Sequence, residues 1–285
     1  MPALALLFNA LVWGVSWWPF RQLEARGVHP LWATAIVFVF SLACLVALRP
    51  SAWRGFKGRP LLWLLLLATG ATNVGFNWAV TTGDVVRVVL LFYVMPAWSV
   101  LLAWLLLGDK PTAASLLRVV LALAGVAIVL KAPGASWPVP SSTADWLALG
   151  GGFSFALTNV LLRKLRDAPT DARVLAMFGG GSLVASMAAV FGMSQGFVAM
   201  PPAPALGWVA FAALLSVGFL ASNLALQYGA SRLSAHTSSL IMLSEVIFAS
   251  LSSVLLGASE LSGRTLVGGA LVVAAALLSA LPARR

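Results

Sequence analysis

The sequence predicts an all-α integral membrane protein of ten transmembrane helices, built as two inverted five-helix repeats around a central cavity. Three observations predict it. Of 285 residues, 61% are hydrophobic and only 9% charged, with a mean hydropathy of +0.97, whereas soluble domains average about 25% charged residues. The apolar residues fall into ten runs, each close to the roughly 20 residues that cross a bilayer. The polar interruptions of the fourth run return in the ninth, and a Pro-rich stretch, KAPGASWPVPSST from Lys131, divides the runs five and five. An odd number of crossings per half makes the two halves enter the membrane with opposite orientation.

In chain order the runs cover about 3–20, 30–48, 61–80, 85–107, 113–131, 144–164, 173–192, 205–228, 234–256 and 263–281. Only 49–60, 132–143 and 193–204 are long enough to be loops, which gives a first repeat over 1–132, a linker over 133–143 and a second repeat over 144–285. The first run lacks a basic start and carries NALVWGVSWW, with tryptophans where a signal-peptide cleavage site needs small residues, so it reads as a helix. Cys44, the single cysteine, lies inside an apolar run; it excludes an intramolecular disulfide framework and reads as a packing residue.

Basic residues set the orientation. Twelve lie on one side of the ten-run arrangement, in 49–59 and 163–173 and at Lys110, Arg232, Arg284 and Arg285, against five on the other, namely Arg21, Arg26, Arg87, Lys131 and Arg264. Both termini are therefore expected in the cytoplasm of a cell with a bacterial-type inner membrane. The net charge of +10 follows from these anchoring loops, so no nucleic-acid partner is expected.

Chemistry concentrates where polar residues interrupt apolar runs. In TNVGFNWAVTTGDVVRVVLLFYVMPAW, residues 72–98, Asn73 and Asn77 are four apart and share a helix face. They either bond a neighbouring helix or line a cavity. Asp84 fits the N-terminus of the fourth helix, where the macrodipole favours an acid. Arg87 either snorkels to the headgroups or faces the cavity mouth near a substrate carboxylate; it shares a stripe with Leu91, Val94 and Trp98. Pro96 cannot donate to the Phe92 carbonyl and should kink the helix beside Tyr93. In the ninth run, Glu245, next to Ser244, is the one acid deep inside an apolar segment. Such a residue carries a proton, pairs with a cation or binds an amine, unless it is a protonated structural group. His236 lies nine residues earlier, on the opposite helix face and near a helix end. Asn9 with Trp13, and Asn223 with Gln227, are i, i+4 pairs that serve as helix glue or cavity lining. Trp17 and Trp78 are core or cavity residues, while Trp53, Trp137, Trp146 and Trp208 fit an interfacial belt.

Placing Gly108 against Gly257 aligns Pro96 with Glu245 and Arg87 with His236, and Val12 onward similarly fits Ser154 onward. The helix-one pattern NALVWGVSW, the helix-four ending P-x-x-x-x-L-L-x-x-L-L-L-G-D from Pro96 and its echo EVIFASLSSVLLG from Glu245 make the whole chain resemble the drug/metabolite transporter superfamily, in particular its EamA-type exporters. Two departures stand in the second half: Ala258 occupies a position often acidic in that family, with Glu260 two residues on, and Val246 replaces its proline.

The resemblance implies a secondary transporter exporting small amphipathic metabolites, amino acids among them, with proton coupling or none. A facilitative carrier or channel, or a multidrug exporter, is the alternative. An enzyme is disfavoured because the sequence has no HExxH, no paired midplane carboxylates and no Asp-rich prenyl-phosphate motif, and a primary pump is excluded because it has no Walker loop. No cofactor or metal is expected, and the oligomeric state stays open. The expected cavity uses helices one, three, four, six, eight and nine, lined by Trp17, Asn77, Trp78, Tyr93 and Gln227. Helix four should bend at Pro96 as a gate, with helix nine moving more rigidly.

Overall fold

Long apolar runs give long helices because a chain in lipid must satisfy every backbone group internally. The computed structural model describes residues 1–131, 137–230, 232–233 and 235–280, and among these the regular structure is thirteen α-helices and one short 3₁₀ turn. The first half comprises α1 (Pro2–Val15), α2 (Trp17–Glu24), α3 (Pro30–Leu48), α4 (Leu61–Thr82), α5 (Val85–Phe92), α6 (Met95–Leu107) and α7 (Ala113–Leu130). The second comprises α8 (Thr143–Lys164), α9 (Thr170–Ser194), α10 (Leu206–Ala230), α11 (Ala235–Met242), α12 (Ser244–Leu255) and α13 (Gly263–Ala280). Eight stretches are long and apolar enough to cross a membrane, counting α1–α2 and α5–α6 as one each; Ser244–Leu255 and Gly263–Leu278 are shorter apolar helices.

Three expected single helices are broken. In the first, Ser16 interrupts the run: its hydroxyl donates to the Trp13 carbonyl at 2.8 Å, and Pro19 has no N–H to offer Val15. In the fourth, the break spans Tyr93 and Val94, just ahead of Pro96, as the proline requires. The ninth corrects the expectation of a rigid helix nine, since it breaks at Leu243 without any proline. There the Ser244 hydroxyl donates to the Ile241 carbonyl at 2.7 Å, competing with the backbone bond, and the Val246 N–H turns to Leu243. Under the same offset that aligns Gly108 with Gly257, Val94 falls on Leu243, so the two breaks coincide.

The halves pack through each other. The first half's α4 lies against α8 and α9, α3 against α9, α7 against α13, and α1 against α10 and α12. Lipid tails give little hydrophobic drive between helices, so close contact and polar bonds do the work. Gly125 and Gly268 let α7 and α13 touch backbone to backbone: a methyl on either would lie 2.6 Å from the other's carbonyl oxygen. Asn9 donates to the Ser222 carbonyl at 2.9 Å, joining α1 to α10. Outward surfaces are apolar, with Leu105, Leu116, Val120, Met187, Val190 and Leu251 all more than half exposed. Trp53, Trp137 and Trp146 sit on that exterior, but Trp208 is buried and donates to the Ala203 carbonyl at 3.1 Å. It packs in the core rather than in the expected belt.

Candidate functional site: a central cavity between two broken helices

The helices enclose a central cavity of about 460 Å³, within the roughly 300–1,000 Å³ of small-molecule sites. Rings form much of its wall: Trp13, Phe76, Phe92, Phe155, Phe178 and Phe219. Trp13 stacks on Phe219 at 4.4 Å, and Phe92 meets Phe76 and Phe155 at 4.8 and 5.4 Å. Amides and hydroxyls interrupt the rings, including Asn9, Asn73, Asn159 and Asn223. Three wall atoms, Asn9 Oδ1, Thr158 Oγ1 and Ser238 Oγ, are buried without a hydrogen-bond partner among the described residues. They stand ready for a solute or water.

The two breaks position the charged centre. Each ends one half-helix and starts another at the cavity wall, where Tyr93, Met95, Pro96, Leu243 and Glu245 all line it. Glu245 falls in the first turn of α12, where the helix dipole favours a carboxylate. The Tyr93 hydroxyl donates to Glu245 Oε2 at 3.3 Å, bridging the halves. The W-G-x-S pattern acquires a physical meaning here. Trp13 faces the cavity, Ser16 ends the helix, and Gly14 lets α1 touch α12, because a Cβ there would lie 2.8 Å from the Phe248 Cβ and 2.9 Å from the Glu245 carbonyl oxygen. Glu245 is the one Asp, Glu, Lys or Arg among the described wall residues. No group of three or more His, Cys, Asp or Glu among the described residues is placed to hold a metal.

Of the residues singled out in the sequence, Asn9, Trp13, Asn73, Tyr93, Pro96, Asn223 and Glu245 are on the wall. The others lie elsewhere. Trp17 is buried and donates to the Ser252 hydroxyl at 2.9 Å. Asn77 is buried between helices, donating to Thr34 at 3.2 Å. Trp78 packs edge-on against His29 and stacks on Phe197. Trp98 meets Phe153 edge-on. Gln227 is exposed and donates to Asn223 Oδ1 at 2.7 Å, and Ser244 shapes the break. The His236 side chain lies outside the described residues.

Arg87 is not among the described wall residues of the cavity. It grips Asp145 with both arms, each at 2.8 Å, and donates to the Val129 carbonyl at 2.7 Å. Asp145 also accepts from the Ser141 N–H at 2.9 Å. As expected, Asp84 caps α5, accepting from the Arg87 N–H at 2.8 Å. The Ser259 hydroxyl accepts from the Val85 N–H at 3.1 Å. Arg21 donates to the Val80 and Gly83 carbonyls, and Arg264 donates to the Lys131 carbonyl at 2.9 Å. Of these, Arg87–Asp145, Val85–Ser259 and Arg264–Lys131 join the two halves at the end opposite Met1. Toward the Met1 end the cavity reaches Asn159, Leu226 and Ser238, each within five residues of a helix terminus.

Sequence reasoning missed Asp145, hidden at a helix start where an acid reads as a cap, and the helix-six wall of Phe155, Thr158 and Asn159. The adjacent Thr158 and Asn159 within an apolar helix were the available signal. It also missed Arg118, inside α7.

A family model for EamA-like transporters matches residues 1–131 and again 142–281. The chain belongs to the EamA-like transporter family. It is thus a multi-pass membrane transporter of the drug/metabolite type, in a family of transporters rather than enzymes. A solved structure titled only "Crystal structure of protein" matches with a TM-score of 0.59 at 19% identity, covering 98% of this transporter and 96% of that chain; the likeness is one of fold. No curated protein matches.

Proposed function

We propose that this transporter exports small amphipathic metabolites, including amino acids with apolar or aromatic side chains, by alternating access at the central cavity. The observation that carries the reading is an aromatic-walled cavity whose single charged residue among those described, Glu245, sits between two broken helices. Rings take the apolar part of a solute, Glu245 takes its ammonium group, and unpaired wall oxygens accept further N–H donors. The start of α6 at Met95, with no acid in its first turn, offers a half-helix N-terminus to a solute carboxylate.

The arrangement proposed is ten crossings in two inverted repeats, 1–132 and 144–285, joined by 133–143, with both termini in the cytoplasm of a bacterial-type inner membrane. The coincident breaks and the reciprocal packing of the halves support it. On this topology the cavity faces the cytoplasm and the Arg87–Asp145 end is the outer gate. Solute or a proton neutralises Glu245, the outer contacts part, and the halves rock about the cavity.

One observation favours a second reading, export of organic cations: no Lys or Arg is among the described wall residues to complement a carboxylate. Counterflow in proteoliposomes separates the two. Purified transporter should exchange radiolabelled phenylalanine, and an imposed pH gradient should drive net uptake if a proton is coupled. Exchange of tetraphenylphosphonium without phenylalanine selects the cation reading, and exchange of neither rejects both.

A further inference from the structure

Beside the cavity, on the Met1 side, α6, α7 and α8 border a second hollow of about 340 Å³. The two spaces adjoin, sharing Met95, Pro96 and Asn159 as wall residues. Their chemistry differs. Among the described residues, the cavity's charge is one carboxylate, whereas this groove carries Lys110 and Arg118 with a single acid, Asp109. Asp109 is already paired, Oδ2 to Arg163 Nη1 at 2.6 Å. The groove is therefore cationic.

Arg118 is its distinctive residue. It lies five residues inside α7 from Ala113, about 8 Å along the axis at 1.5 Å per residue. A guanidinium inside a membrane helix is costly, and such groups are ordinarily paired or face a polar space. Arg118 is half-buried on the groove wall and has no hydrogen-bond or ion-pair partner among the described residues. Its planar fork of donors matches an oxyanion.

We propose that this groove is an anion-binding vestibule, in which Arg118 holds the carboxylate of an amphipathic solute before the solute passes Met95 and Pro96 into the cavity. The proposal rests on the cavity being the solute site. It also gives a zwitterion a reason to approach a cavity whose own charge is negative: its carboxylate is captured first, and its ammonium group reaches Glu245 afterwards. The same fork would hold the phosphate of an anionic lipid, so the test distinguishes the two sources.

The full chain carrying Cys44→Ser and Ala103→Cys, in phosphatidylcholine nanodiscs, reports on the groove through the rate of maleimide labelling at position 103. Phenylacetate should slow labelling and phenylacetamide should not. Arg118→Gln should raise the half-protecting phenylacetate concentration about tenfold, the effect of losing a charge-assisted hydrogen bond, and Arg118→Lys should recover part of the protection. Equal protection by acid and amide, no protection by phenylacetate, or protection unchanged in Arg118→Gln overturns the proposal. Protection only when phosphatidylglycerol is added assigns the groove to a lipid headgroup and overturns it too. The readout needs no transport, so a failure here leaves the counterflow result standing, and a failed counterflow leaves this one standing.

Discussion

At the scale of single residues, the membrane raises the cost of every polar group, so a polar residue there calls for an explanation. His29 shows this at a boundary. Its Nδ1 accepts from the Leu31 N–H at 3.2 Å and caps α3, which requires the neutral ring, and burial holds the imidazole below its ordinary pKa. Folding therefore favours the unprotonated form. The stability it contributes is present above the ordinary histidine pKa and is lost as pH falls below it, through the lowered folded value. Thermal unfolding in detergent should show this acid-side loss, and His29→Asn, which keeps a capping acceptor, should flatten it; an unchanged slope would remove His29 as the cause. Much of the site was legible at this scale. Glu245, Tyr93, Asn73 and Pro96 stood out because apolar helices have few reasons to hold them. Trp78 and Asn77 misled because a polar or aromatic residue on an inward face serves helix packing as readily as a cavity, and sequence spacing does not separate the two.

At the scale of elements, proline announced the break in helix four, and nothing equally plain announced the one in helix nine. Ser244 makes that break through its hydroxyl, and serines are too common in membrane helices for the signal to be read in advance. The two half-helix pairs, α5–α6 and α11–α12, are the hinges of the account. Pro96→Ala restores a backbone donor toward Phe92 and should stiffen the first hinge. Gly152 already crowds the Phe92 carbonyl, where an added Cβ would lie 2.5 Å from its oxygen, so straightening α5–α6 also presses on α8. Counterflow should slow about tenfold, as a hinge change of roughly 1.4 kcal/mol would give, while equilibrium phenylalanine binding stays nearly intact. A matching loss of binding would make Pro96 a solute contact rather than a hinge.

At the scale of the whole molecule, the fold is asymmetric along its long axis: tied by the Arg87–Asp145 ion pair and by caps opposite Met1, hollow toward it. Hydropathy made the all-helical, membrane-spanning architecture legible, but the tie was not. Arg87 and Asp145 are 58 residues apart, and only packing α5 against α8 brings them together. Breaking that pair should favour opening at the tied end. Asp145→Asn should raise maleimide labelling of Thr81→Cys, a buried position beside the tie, several-fold from the side opposite the termini; unchanged labelling would mean the pair is no latch. The central claim is that Glu245 is the charge through which the cavity moves its solute. Phenylalanine counterflow in proteoliposomes, measured for the parent and for Glu245→Gln across a range of pH, tests it most directly. The parent should exchange phenylalanine with a marked pH dependence, and the variant should lose that dependence or bind phenylalanine more weakly. A variant that transports like the parent at every pH would contradict it and leave Glu245 a protonated structural residue.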